Sequence, residues 1–142
     1  MAINFTTDQT VINSQVKALQ VKVCKLTFAN FGTTPVNTLI ATFPPNAAIT
    51  RIAYWNKTKL AGNSISAATL SLGFASAGTT IVSAFDVFTT VGTNATLSPS
   101  NLILQTTIGE GSGGDYKIWA QGSATTGDPD AGEIYVIFEY VR

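Results

Sequence analysis

The sequence predicts an all-β fold, an antiparallel β-sandwich of jelly-roll type with about eight strands. Three observations carry that prediction. Nearly every apolar segment is short, β-branched or aromatic, and ends at Gly, Pro, Asn or Asp. Strand-like segments recur at close spacing along the 142 residues. No amphipathic stretch of helical period extends over ten residues or more.

The segments follow in order. VKALQVKVCKLTF (16–28) alternates Leu19, Val21 and Val23, then changes phase to Cys24, Leu26 and Phe28. Such a phase change predicts a bulge, with the lysines facing solvent or a partner. TLIATF (38–43) follows a turn-like NFGTTPVN and is broken by FPPNAA. In ITRIAYWN (49–56), Ile49, Arg51, Ala53 and Trp55 share one face, while Ile52 and Tyr54 share the other. ATLSLGF (68–74) turns Leu70, Leu72 and Phe74 inward. TIVSAFDVFTT (80–90) fits a short helical turn through Ile81, Ala84, Phe85 and Phe88 better than it fits a strand. NLILQTTI (101–108) is a further strand, and GEGSGG (109–114) a loop without the Gly-Lys-Ser/Thr ending of a phosphate loop. DYKIWAQGS (115–123) sets Tyr116, Ile118 and Ala120 against Lys117, Trp119 and Gln121.

The last segment, GEIYVIFEYVR (132–142), is apolar on both faces: Ile134, Val136, Phe138 and Tyr140 on one, Tyr135, Ile137 and Val141 beside Glu139 on the other. One face belongs on the opposite sheet. The other calls for cover from a loop or a neighbouring subunit, and we read it as the neighbour.

A single domain is expected over residues 16–142, preceded by an N-terminal arm, residues 1–15. The arm carries Ile3, Phe5, Val11 and Ile12 in a polar background. Docked on a neighbour, it would bury those four; otherwise it is a plain tail. Candidate interface residues are therefore Ile3, Phe5, Val11, Ile12, Tyr135, Ile137 and Val141.

Composition narrows the chemistry. Charged residues make up 11% of the chain and the formal net charge is zero, against about 25% charged in an average domain. Weak self-repulsion of this kind favours association. The chain has no histidine, the usual general base of hydrolases, and no paired carboxylates point to glycoside cleavage. An enzyme is not expected, and there are no candidate catalytic residues. The single cysteine, Cys24, reads as a small buried hydrophobe.

Six of the eight basic residues, Lys17, Lys22, Lys25, Arg51, Lys57 and Lys59, precede residue 60, whereas seven of the eight acids follow it. Either complementary patches meet between subunits or strands of the two halves interleave; interleaving is favoured. These cations are too few and too spread for nucleic acid. MAINFTTDQTVINSQ has no secretory pattern, and no apolar run is long enough to predict a membrane helix. The sequons at Asn4, Asn56 and Asn94 read as accidents of a Thr-rich chain.

Two ligand readings remain. Asp128, Asp130 and Glu133 in DPDAGE could gather around a calcium ion, although turn chemistry explains the same residues and no cofactor is expected. Tyr54, Trp55, Tyr116, Trp119 and Tyr135 could form a sugar-stacking platform; strand aromatics more often serve core or interface.

TFPPNAAITRIAYWNKTKLAGNSISAATLSLGFASAGTTIVSAFDV, YKIWAQGS and AGEIYVIFEYVR resemble, in order and texture, small β-sandwich proteins of tailed-bacteriophage structural modules. The resemblance covers residues 38–142. It implies a virion structural protein, a capsid decoration (cement) protein that binds the outer shell as a homo-oligomer, a trimer in many such proteins. The implied partners are the major capsid protein and further copies of this chain, with no nucleic acid or membrane. The implied location is the capsid surface after synthesis in the host cytoplasm. The alternative is a carbohydrate-binding or adhesive module, such as a head fibre or tail component.

Overall fold

Among the described residues, strands consecutive in sequence pair only once, and the other pairings join distant segments. The computed structural model describes residues 19–44, 47–89 and 115–141, together with the backbone of 94–96. Within these lie β1 (Gln20–Thr27), a 3₁₀ turn (Phe28–Asn30), β2 (Val36–Phe43), β3 (Ala48–Ala61), β4 (Ala67–Gly73), β5 (Val82–Asp86), β6 (Asn94–Thr96), β7 (Tyr116–Thr125) and β8 (Ala131–Val141). One sheet runs β1-β8-β3-β6 and the other β2-β7-β4-β5, with every pairing between strands antiparallel.

The topology is that of one long hairpin rolled up. β1 pairs with β8, β2 with β7, β3 with β6 and β4 with β5. Rolling then closes β8 on β3 and β7 on β4. Eight strands connected in this way form a jelly roll, as predicted. β8 is an interior strand, flanked by β1 and β3, so the last apolar segment is held on both edges.

The core lies between the sheets. Leu26, Ile52, Leu60, Ile134, Val136 and Phe138 from one meet Phe43, Leu70, Leu72 and Ile118 from the other, all essentially inaccessible. Phe43 organises one end, stacked on Tyr116 at 5.4 Å and edge-on to Phe138 and Tyr140 at 5.5 and 5.0 Å. Tyr116 donates its hydroxyl proton to Ala47 O (3.1 Å), and burial pushes its pKa up to about 12. Two glycines are required by close approach. A Cβ on Gly122 would collide with Asn30 O of the 3₁₀ turn. Gly132 has φ +133°, and its Cβ would lie 2.7 Å from Leu60 Cα.

Several local expectations need correction. β1 carries no bulge: its register to β8 is unbroken from Gln20↔Tyr140 to Thr27↔Glu133. The two apolar phases are instead two faces of one regular strand, with Cys24 and Leu26 buried and Leu19, Val21 and Val23 exposed. Lys22 therefore points inward, donating to Thr42 O at 2.8 Å and lying 5.1 Å from the Phe43 ring centre. Lys25 stays on the outer side.

The bulges lie elsewhere. Thr50 is an extra residue against β8 and Ile40 one against β7. The first turns Ile49 inward with Ile52 and Tyr54, away from Arg51, Ala53 and Trp55. Phe74 is half-buried and packs against the core from just beyond β4. Segment 82–86 is a strand, not a helical turn. β6 was not anticipated, while the expected strand 101–108 and loop 109–114 lie outside the described residues. Cys24 is buried, with its thiol directed at Ile40 O (2.8 Å) and its pKa raised by desolvation. Asn56, one of the sequons, is fully buried and donates to Val87 O at 2.6 Å, which leaves no room for a glycan.

Candidate assembly interface

The outer side of the β1-β8-β3 sheet follows from the pleat. Because Ile134, Val136 and Phe138 point inward, Glu133, Tyr135, Ile137, Glu139 and Val141 point outward. Register then sets the rows across the face. Val21, Glu139 and Arg51 form one row, Val23, Ile137 and Ala53 the next, and Lys25, Tyr135 and Trp55 a third, with the β8 residue in the middle of each. Leu19 and Val141 continue the apolar end.

One half of this face is thus apolar and centred on β1. Leu19, just before β1, and Val21 and Val23 within it are 58%, 58% and 56% exposed and form a contiguous apolar strip. The other half is polar and aromatic. Trp55 and Tyr135 stack across the strands at 5.6 Å, with Lys57 Nζ 5.9 and 5.8 Å from their ring centres. The Glu133 carboxylate accepts from the Tyr135 hydroxyl and pairs with Lys25 at 3.3 Å and Lys57 at 3.5 Å. The tyrosine hydrogen bond first, then Lys25 and Lys57, hold Glu133 below the usual carboxylate range; the same bond raises Tyr135. Arg51 and Glu139 form a second pair at 2.9 Å.

These pairs resolve the uneven charge of the sequence. Cations from β1 and β3 flank β8, whose two acids lie between them, so the halves interleave on one face. Pairs at the surface of this kind add little stability, since the cations stay open to water and salt.

Of the predicted interface residues, Tyr135, Ile137 and Val141 occupy this outer face, each partly buried. Ile3, Phe5, Val11 and Ile12 lie outside the described residues. Sequence reasoning missed Leu19, Val21, Val23 and Trp55 as members of the face. Their alternation was visible, but an apolar strand face was taken to be an inner one.

The other candidate constellations disperse. Asp128 Oδ1 accepts from the backbone N–H (2.7 Å) and hydroxyl (3.1 Å) of Thr33, tying two loops together. Asp130 donates its backbone N–H to Ala61 O (2.8 Å), while Glu133 faces outward with its lysines. Among the described residues, no three of His, Cys, Asp or Glu form a metal-sized group. The five aromatics do not share a surface: Tyr54 and Tyr116 are core, Trp55 and Tyr135 lie on this face, and Trp119 lies outward on the second sheet.

No family model matches the chain, and no curated protein does. Solved structures do match. A chain of the cyanophage Pam1 capsid asymmetric unit superposes with a TM-score of 0.62 at 19% identity, over 88% of this chain and 85% of that one. A chain of the acidic stable capsid structure of Helicobacter pylori bacteriophage KHP30 gives 0.51 at 12%, over 89% and 94%. At these identities the likeness is one of fold, and it extends over nearly the whole length of each chain.

Proposed function

We propose that this chain is a non-enzymatic structural protein of a bacteriophage virion. In this reading it is a capsid decoration protein that binds the outer surface of the shell as a homo-oligomer, a trimer. The observation that carries the proposal is the end-to-end match of the whole jelly roll to chains of two phage capsid structures. The open apolar half of the β1-β8-β3 face, on a chain of zero formal net charge, supports it.

Tyr135, Ile137 and Val141 then meet a neighbouring subunit. Ile3, Phe5, Val11 and Ile12 of the arm dock on a neighbour or on the major capsid protein. Many weak contacts repeated over a shell hold by avidity, so each needs little energy of its own.

Light scattering of the purified protein, followed by mixing with emptied, undecorated capsids, tests the reading. An oligomer that co-sediments with shells supports it. A stable monomer that ignores them overturns it. The stacked Trp55–Tyr135 pair on an exposed face favours one second reading, an adhesive module that binds glycans. A glycan array distinguishes the two: sugar binding abolished by Trp55→Ala, together with no affinity for shells, selects the adhesive module.

A further inference from the structure

We propose that the outer strip Leu19, Val21, Val23 of one copy is covered by the N-terminal arm of another, whose Ile3 and Phe5 lie on Val21 and Val23. The inference rests on the homo-oligomer of the proposed function and names the segment that joins its subunits.

The strip calls for an apolar occupant. Among the described residues, the exposed large hydrophobics outside the β1-β8-β3 face are Phe28, on the 3₁₀ turn, and Leu39, on the second sheet. Neither belongs to a patch of comparable length. Leu102 and Leu104 lie in a segment tied at both ends to its own sandwich, through β6 and β7. Residues 1–18 instead enter the sandwich at Leu19, and 18 extended residues reach as far as about 60 Å. Two strips set face to face would close a pair and admit no third copy. An arm on a strip joins two different surfaces, so the contact passes from copy to copy and closes a ring, as a trimer requires.

The arm matches the strip in chemistry and spacing. Ile3 and Phe5 are two residues apart, as are Val21 and Val23, so an extended arm turns both the same way. Residues 1–15 carry one charged side chain, Asp8. The face beside the strip carries three cations, Lys25, Arg51 and Lys57, against two acids, Glu133 and Glu139. Its excess of one positive charge is opposite in sign to Asp8.

The chain's own arm fits the strip poorly. Val16, Lys17 and Ala18 include no turn-forming residue, and the nearest are Asn13 and Ser14. A reversal centred on Ser14 would return the chain with Gln9 on Leu19, Thr7 on Val21 and Phe5 on Val23. A centre half a residue to either side sets Asp8 or Thr10 on Leu19, and Thr6 or Asp8 on Val21. Polar groups would then cover most of the strip, with Val11 and Ile12 beyond the end of the sheet. An arm from another copy has no such fixed register.

The test is crosslinking between full-length chains that carry tags of different length. Phe5→Cys on one and Val21→Cys on the other are joined by a bismaleimide that tolerates a shift of one strand position. The mixed pair should be the dominant product. Each variant alone should stay near the wild-type background, in which Cys24 is buried. Phe5→Cys mixed with Asn37→Cys, on the outer side of the second sheet, should stay there too. A mixed product no greater than that control overturns the proposal. So does an internally linked chain as the main product when Phe5→Cys and Val21→Cys are placed in one molecule, since the arm then lies on its own strand. In sedimentation, Phe5→Ala and Val21→Ala should each weaken self-association by about tenfold. Combined, they should fall well short of the roughly hundredfold expected of sites that do not touch; full additivity overturns the contact. An oligomer without the Phe5–Val21 product ends this proposal and leaves the virion reading in place. A stable monomer that ignores shells ends both.

Discussion

On the outer side of the first sheet, neighbouring positions carry Leu19, Val21, Val23, Ile137 and Val141, then Trp55, Tyr135 and an ion-pair cluster. On the outer side of the second, the same kind of positions carry Asn37, Gln121, Ser123, Thr69 and Thr125. Gln121 donates to Asn37 Oδ1 at 3.2 Å, and that oxygen also accepts from Ala77 N at 2.9 Å. Leu39, 42% exposed, and half-buried Trp119 lie there as a single apolar pair. Both faces cover the same core from opposite sides, so core stability does not explain why they differ. An apolar outer face is costly to keep in water unless something else covers it. The contrast points to one side of the sandwich as the contacting side.

The comparison is sharpest on β8, where inner and outer residues alternate. Phe138→Ala should lower stability by about 3–5 kcal/mol, because it removes a fully buried ring and leaves a cavity beside Phe43. Ile137→Ala, one residue away and pointing outward, should cost the monomer under about 1 kcal/mol in denaturant titrations. Equal losses would make the outer face part of the fold's own core and break the comparison.

Next in size is a charge on each face. Ile137→Glu should reduce self-association and shell retention by roughly thirtyfold, the effect of losing about 2 kcal/mol at an interface centre. Gln121→Glu, on the polar face, should leave both unchanged. If the two variants behave alike in sedimentation, the faces are functionally equivalent.

Smaller effects follow from titration. Tyr116 titrates at about 12 in the fold, against about 10 when unfolded. Its contribution is full below pH 10 and is lost as pH rises from about 10 to about 12. Tyr116→Phe should flatten that alkaline loss of melting temperature. Smallest is Glu133, whose lowered pKa makes its contribution present above the unfolded carboxylate range and lost as pH falls through the folded value. Glu133→Gln should remove this acid dependence while leaving stability at neutral pH almost unchanged, because the cluster is exposed to solvent.

Strands with one polar face were legible in the sequence. β7 alternates Tyr116, Ile118 and Ala120 with Lys117, Trp119 and Gln121, and the structure buries the first set more deeply than the second. β3 was misread at its start, because a single extra residue, Thr50, reverses the phase of everything before it. Periodicity alone does not show where a bulge sits. β1 was misread for a different reason. Hydrophobicity marks residues that leave water, and it does not say whether they do so in the fold or against a neighbour. Leu19, Val21 and Val23 look like core residues in sequence because they have the same chemistry. β6, three residues of Asn, Ala and Thr, has no apolar signal to read. On the outer side of this sheet, Tyr135, Ile137 and Val141 were legible as outward-facing because β8 is apolar on both sides, and one sandwich core can cover only one of them.

The rolled-hairpin order has a consequence for how the molecule is made. β3 and β1 gain their shared neighbour only when β8 lies between them, so the sheet that carries the apolar outer side stays incomplete until the eighth strand has left the ribosome. Pairings this distant in sequence make folding slow. They also keep Val21 and Val23 from being presented on an ordered sheet by a nascent chain.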